Sequence, residues 1–218
     1  MHHHQFFVTG IGTEIGKTVV AATLVEALQA DYWKPIQSGD LDNSDSMKIQ
    51  RWVSNPHTRI HPERFRLNTP LSPHASAVID GVEIKVSDFH LPPTDRPLIV
   101  EGAGGLMVPL NHQETMLDLM QNLGLPVILV VRHYLGSINH TLLSLEVLRS
   151  RGIVLAGLLY NGVENVASEE AIEALSGVKL LGRVEEMGEI SPEAIAQQAE
   201  LLRGLFESGV MFMKCKLM

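Results

Sequence analysis

Phe6-Phe7-Val8-Thr9-Gly10-Ile11-Gly12-Thr13-Glu14-Ile15-Gly16-Lys17-Thr18 decides the reading of this chain. A short apolar run ends at glycine, crosses a polar turn and reaches Gly-Lys-Thr, and an amphipathic stretch (Val19, Val20, Leu24, Val25, Leu28) follows at once. This is the order strand, phosphate-cradling loop, helix: consecutive loop N–H groups and the positive end of a helix dipole can hold a polyphosphate. Lys17 is placed to reach the terminal phosphates and the Thr18 hydroxyl to meet Mg²⁺. The usual Gly-x4-Gly-Lys-[Ser/Thr] spacing requires glycine where Ile11 stands. Glycines occupy positions 10 and 12 instead, so the loop reads Gly-x5-Gly-Lys-Thr, one residue longer. A dinucleotide Gly-x-Gly-x-x-Gly pattern fails because Ile15 occupies the third glycine position.

Strands alternate with helices along the rest of the chain. A helix is expected over 16–29, then a short Tyr32-Trp33 segment, a helix from about Ser44 towards Val53 capped by Asn43 or Ser44, and a short helix after Pro73. Residues 54–73 show no sustained periodicity, and the proline-bearing stretch 87–97 reads as a connector. Leu98-Ile99-Val100 is a buried strand ended by Glu101-Gly102-Ala103-Gly104-Gly105. Further strands are expected at 126–131, 153–160 and 178–181, with helices at 138–151, 167–176 and 192–206. Near-continuous Val/Ile/Leu strands separated by helices imply an α/β fold, a mainly parallel twisted sheet covered on both faces, of the P-loop NTPase type. Ligands of such sheets bind beyond the carboxyl ends of the strands, where the polar motifs of this chain recur.

The chain has 218 residues, enough for one domain with a sizeable core, and a net charge of −8 from 25 acids and 17 bases. That balance argues against a nucleic-acid partner. Cys215 is the sole cysteine, so an intrachain disulfide is excluded. With no apolar run of bilayer length and no signal-peptide pattern, a cytoplasmic protein without a membrane partner is expected. Met1-His2-His3-His4 reads as a tag remnant, the other reading being a native metal-binding tract, and residues 5–218 as a single P-loop α/β domain.

Several residues carry two readings. Glu101 either faces bound nucleotide and its metal or ends a strand in solvent, and the small residues after it allow a ligand close to the backbone. Asp45 is a metal ligand or a first-turn helix acid. Lys34 is a cation for a phosphoryl group in flight or an exposed lysine. Asn161-Gly162 is a base-recognising amide or simply a turn. The histidines form no metal-ligand spacing and no nucleophile elbow occurs, which points to phosphoryl transfer assisted by cations and metal rather than covalent catalysis.

Thr9-Gly10-x-x-Thr13-Glu14-Ile15-Gly16-Lys17-Thr18, Lys34-Pro35-x-x-Ser38-Gly39, Asn43-Ser44-Asp45, Ser72-Pro73-His74, Val100-Glu101-Gly102-Ala103-Gly104-Gly105 and Leu135-Gly136-x-Ile138-Asn139-His140 occur in this order. Together they resemble the dethiobiotin synthetase family, in which the extended phosphate loop is itself a trait. The resemblance implies an ATP- and Mg²⁺-dependent ligase of biotin biosynthesis that joins CO₂ (or bicarbonate) to 7,8-diaminononanoate and closes a cyclic urea. It implies that Gly12, Thr13, Glu14, Ile15, Gly16, Lys17, Thr18, Val19 and Asn161 bind ATP, and that Thr18, Asp45 and Glu101 surround Mg²⁺. Lys17, Lys34, Thr13 and Ser38 become the catalytic set. Ser38, Gly104, Pro109, Leu135, Gly136 and Asn139 become the substrate set, part of it contributed across a homodimer interface.

The chain departs from the family pattern in a trimmed passage from Gln29 to Trp33 and in a shortened 80–97 segment. It also carries Arg183-Val184-Glu185-Glu186 where a proline-containing purine loop is usual. Two other readings share this sheet type. One is a switch ATPase like the partition and septum-positioning proteins, which carry a lysine early in the phosphate loop. The other is the amidase module of cobyrinate-type synthases, which needs a glutaminase.

Overall fold

The structure, a computed structural model, describes residues 4–207. Met1–His3 of the tag reading and the tail that carries Cys215 lie outside the described residues. In chain order the elements begin with β1 (Gln5–Gly10), α1 (Lys17–Leu28), β2 (Asp31–Trp33), β3 (Ile36–Ser38) and α2 (Asp45–Trp52). They continue with β4 (Ile60–His61), β5 (Phe65–Leu67), α3 (Pro73–Asp80), β6 (Leu98–Gly105) and α4 (Met116–Leu123). The last are β7 (Val127–Val131), α5 (Ser137–Ser150), β8 (Leu155–Asn161), α6 (Val166–Ser176), β9 (Leu180–Val184) and α7 (Pro192–Glu207).

A seven-stranded sheet runs β4-β2-β6-β1-β7-β8-β9, and a two-stranded sheet pairs β3 with β5. Every pairing within them is parallel. The carboxyl ends of the large sheet's strands therefore share one edge. β1, at the centre, puts Phe7 into one core and Phe6 and Val8 into the other, the period of two expected of a strand buried on both faces. The first core gathers Phe7, Val100, Leu129 and Tyr160 against α4 and α5; the second gathers Val8, Ile99, Val130 and Leu159 against α1 and α7. α1 is buried nearly all round, from Val20 through Ala27, because α2, α7 and β6 all pack on it. Its apolar content thus fixes the direction in which its amino terminus points, back at the end of β1.

The expected elements are present with several differences, among them the unexpected three-residue strand β3. β6 does not end at Glu101 but pairs with β1 through Gly105 opposite Gly10, because glycines let the two backbones approach: a Cβ on Gly105 would lie 3.4 Å from the Gly10 carbonyl. The strand expected at 178–181 lies at 180–184, so Arg183 and Val184 belong to β9 and only Glu185 begins a loop. Residues 54–73 contain β4 and β5, whose two and three residues are too few to show a period. No helix was expected between Gly105 and Pro126, yet α4 lies there. Its Met116, Leu119, Met120 and Leu123 have ordinary helical spacing and are buried, and Thr115 and Asp118 form a capping box. Among the described residues no helix is long and apolar enough to cross a membrane.

Candidate functional site

The loop joining β1 to α1 wraps back on itself. Lys17 Nζ donates to the Gly12 carbonyl at 2.8 Å, so the lysine lies along the loop and points towards its open side. Gly16 sits in the left-handed region with φ +83, and a Cβ there would lie 2.0 Å from Asn161 Nδ2. Asn161, at the end of β8, donates from that Nδ2 to the Ile15 carbonyl at 2.9 Å. The phosphate loop and the β8 end are thus locked across the sheet edge, and only glycine fits between them. Glu14 also holds a left-handed φ of 58. The loop that would hold the phosphates thus carries a non-glycine residue in a sparsely populated conformation, as do Gln29 and Asp40 elsewhere.

Beside the loop, oppositely charged groups meet out of water. Lys34 Nζ lies 2.9 Å from Glu101 Oε1 and 2.8 Å from Asp45 Oδ2. It also donates to the Gly102 carbonyl at 3.2 Å. Thr18 Oγ1 donates to Glu101 Oε1 at 3.0 Å, and the buried Tyr32 hydroxyl donates to Glu101 Oε2 at 2.8 Å. Lys34 is not the exposed lysine of the alternative reading, and Glu101 is not a solvated strand end: they are 4% and 1% exposed. Burial would pull the Lys34 ammonium down, but the Glu101 and Asp45 carboxylates outweigh it and its pKa is raised. Burial likewise opposes the charge on Asp45; Lys34 and then Lys48 overcome it and hold the carboxyl at about 2. Burial, helped by the nearby Lys34 charge, lowers Lys17 to about 8. A lysine so poised gains most from an anion placed on it.

These groups border one cleft of about 960 Å³. Of the expected site residues, Thr13, Glu14, Gly16, Lys17, Thr18, Val19, Lys34, Ser38, Asp45, Glu101, Gly104 and Asn161 line it. Ile15 is buried beneath the loop, and Gly12 reaches the cleft's lysine through its carbonyl. Pro109 is half-buried and does not itself line the cleft, although its neighbour Val108 does; its carbonyl accepts from His74 N at 3.2 Å. Leu135, Gly136 and Asn139 are exposed at the start of α5, outside the cleft of the single chain. Ser38 Oγ has no hydrogen-bond partner among the described residues, which leaves a hydroxyl at the cleft wall uncommitted.

The sequence reading missed some supporting residues. Gln37 Oε1 accepts from Asp45 N at 3.2 Å, and Gln37 Nε2 donates to the Gly39 carbonyl at 2.9 Å, so the Lys34–Gly39 segment holds the start of α2 in place. Lys48 contacts Asp45 at 3.3 Å, and its i, i+3 spacing was the available signal. Tyr32 carried no signal beyond its place two residues before Lys34. Arg132 and the 185–187 segment form the far end of the cleft beside Asn161 and Gly162.

The donor set suits Mg²⁺. Thr18, Asp45 and Glu101 offer only hard oxygens, and no group of three His, Cys, Asp or Glu side chains among the described residues could cage a metal alone. Mg²⁺ commonly takes one or two carboxylates and completes its shell with water and substrate phosphates.

The AAA-domain family model matches residues 4–194. The chain is 52% identical over 199 residues to an ATP-dependent dethiobiotin synthetase of Christiangramia forsetii, covering 91% of this chain and 96% of that protein. It is 50% identical over 191 residues to the enzyme of the same name from Rhodopseudomonas palustris, covering 88% and 90%. Among solved structures, a ParA family ATPase from Chlorobium tepidum superposes with a TM-score of 0.53 at 13% identity, covering 95% of this chain and 93% of that one. The MinC:MinD cell division complex of Aquifex aeolicus gives 0.54 at 13%, covering 92% and 96%. At that identity the likeness extends to the fold alone and does not favour the switch-ATPase reading. Sequence identity near one half across nine-tenths of the chain decides the family: this chain belongs to the ATP-dependent dethiobiotin synthetases.

Proposed function

We propose that the protein closes 7,8-diaminononanoate and CO₂ into the cyclic urea dethiobiotin, converting ATP to ADP and phosphate with Mg²⁺. The observation that most favours this reading is Lys34, a cation held between two carboxylates in the cleft that Lys17 and Ser38 also line. A carbamate and a triphosphate are both anionic, and a reaction that brings them together needs fixed positive charge between them.

In this mechanism one substrate amine takes up CO₂ as a carbamate. Thr13 and Ser38 hydrogen-bond the carbamate, and the carbamate oxygen attacks the γ-phosphorus. The β–γ bridging bond breaks, ADP leaves, and a carbamic-phosphoric anhydride forms. The second amine attacks the carbonyl carbon, loses its proton and expels phosphate. Lys17 and Lys34 offset the charge that moves between the γ-phosphate oxygens and the bridging oxygen. Thr18, Asp45 and Glu101 would hold Mg²⁺, which when bound neutralises β- and γ-phosphate charge. The Asn161 side-chain amide recognises the base. Glu14, Ile15, Gly16 and Val19 enclose the phosphates through the loop backbone.

Gly136 and Asn139 are read as substrate-carboxylate contacts supplied by a second copy in a homodimer. The exposure of Leu135 beside them supports an interface role. Incubation with ¹³C-bicarbonate, diamine and Mg-ATP tests the chemistry. A product carrying one ¹³C and lacking the two amine reactivities is expected; diamine recovered unlabelled would contradict it.

A further inference from the structure

Behind the far end of the cleft, four side chains outside it form a continuous stack. His133 lies parallel to the buried Tyr160 ring, centroids 4.9 Å apart at 22°, and the Arg183 guanidinium sits over the same ring at 5.4 Å. Arg183 Nη2 contacts both Glu169 oxygens at 2.7 Å. Glu169 Oε1 also accepts from Asn165 N at 3.1 Å and lies 2.8 Å from His133 Nε2. Arg183, Glu169 and His133 are 14%, 14% and 11% exposed, and none of them lines the cleft. Arg183 Nη2 also lies 3.7 Å from the more exposed Glu164 Oε1, and its Nη1 donates to the Gly162 carbonyl at 3.3 Å.

Gly162 is the residue that most needs such a hold. It follows Asn161, whose side chain is already tied to the phosphate loop, and it lines the cleft with φ +100. Glycine is the least constrained residue, so its peptide direction must be imposed from outside. Gly162 N is fixed on the Val184 carbonyl at 2.9 Å and its own carbonyl on Arg183. A guanidinium can grip a carboxylate with one edge, donate to a carbonyl with another and lie flat on an aromatic ring, three tasks an ammonium cannot combine.

We propose that Arg183, held by Glu169 and Tyr160, is a positioning residue for nucleotide binding: it fixes the Gly162 peptide and through it the orientation of Asn161 at the base end of the cleft. This rests on the nucleotide-site reading above. Because the network contacts the base end directly and the phosphate loop only through the Asn161–Ile15 hydrogen bond, its loss weakens binding of ATP more than that of inorganic tripolyphosphate.

The test compares Arg183→Met, Arg183→Lys and Glu169→Gln with wild type, reading KM for ATP, kcat, and calorimetric binding of Mg-ATP and Mg-tripolyphosphate. R183M is expected to raise the ATP KM and Kd about tenfold, the size of one lost charge-assisted interaction, with kcat unchanged and tripolyphosphate affinity altered much less. R183K and E169Q are expected to fall between, and the R183M/E169Q double variant to lose little beyond R183M because the two act as a unit. Retained tripolyphosphate binding shows that the folded site survives. An unchanged ATP Kd in R183M, or equal losses for ATP and tripolyphosphate, overturns the proposal while leaving the nucleotide site standing. A wild type that binds neither ligand overturns both readings.

Discussion

Lys34 Nζ lies 2.9 Å from Glu101 Oε1, and the two side chains are 5% and 1% exposed. A buried pair of this kind is asymmetric in its consequences. Removing one partner strands a charge and costs about 3–5 kcal/mol, whereas removing both charges costs much less. Lys34→Met should therefore lower unfolding stability by an amount in that range. The double variant Lys34→Met/Glu101→Gln should recover much of it, with Asp45 keeping Lys48 at 3.3 Å. Denaturant titrations check this, and turnover should stay at least about 100-fold down in both variants. A double variant no more stable than the single would remove the pair from the stability argument.

Lys17 should report nucleotide binding as proton uptake. Its pKa, lowered to about 8 by burial and by Lys34, is below the ordinary 10.5. Its charge therefore costs stability below about pH 8, and that cost fades as pH rises through 8 towards 10.5. A triphosphate on the ammonium raises the pKa again. At about pH 8.5 the binding of Mg-ATP should take up a fraction of a proton, seen by calorimetry in buffers of different ionisation enthalpy. Lys17→Met should abolish that uptake along with turnover.

Asp45 has the opposite sign. Held at about 2 against an ordinary 3.8, it contributes stability that is complete above about pH 4 and is lost as pH falls through 2. Asp45→Asn should be less stable than wild type by about 2 kcal/mol near neutrality, and the gap should narrow in acid. The same variant should need about tenfold more Mg²⁺ for half-maximal turnover if its carboxylate holds the metal. An unchanged metal titration would return Asp45 to the role of a helix-start acid.

The two loop glycines are not equivalent. A Cβ at Gly16 would meet Asn161 Nδ2 at 2.0 Å with φ +83, whereas at Gly12 the nearest atom is Tyr134 Oη at 4.0 Å. Gly16→Ala should lose at least about 1–3 kcal/mol and nearly all ATP affinity, while Gly12→Ala should melt like wild type. Equal melting temperatures for the two would refute the interlock between loop and β8.

Asn139 and Lys17 lie on separate surfaces of one chain, Asn139 exposed on α5 and Lys17 in the cleft. If the substrate site is shared, mixing Asn139→Ala and Lys17→Ala chains should restore part of the activity through hybrid sites. No recovery after demonstrated subunit exchange would contradict a shared site.

The phosphate loop and the alternation of strands and helices along the chain were legible because each rests on local pattern: glycines at fixed offsets, unbroken Val/Ile runs. Lys34 and Asp45 were ambiguous until placed, since their meaning depends on a strand more than fifty residues away bringing Glu101 to Lys34, which then lies between the two carboxylates. β4 and β5 were invisible for want of length, and the continuation of β6 was hidden because its glycines carry no apolar side chain. α4 was readable from the helical spacing of Met116, Leu119, Met120 and Leu123. Arg183 was noted as part of an unusual base loop, but it lies in β9, where register with Tyr160 gives it a different task.

ADP release from Mg-ATP and bicarbonate, measured with and without diaminononanoate, tests the central claim most directly. Release that depends on the diamine and matches dethiobiotin formed mole for mole is the expected result. Hydrolysis indifferent to the diamine, in a folded sample that binds ATP, would contradict it.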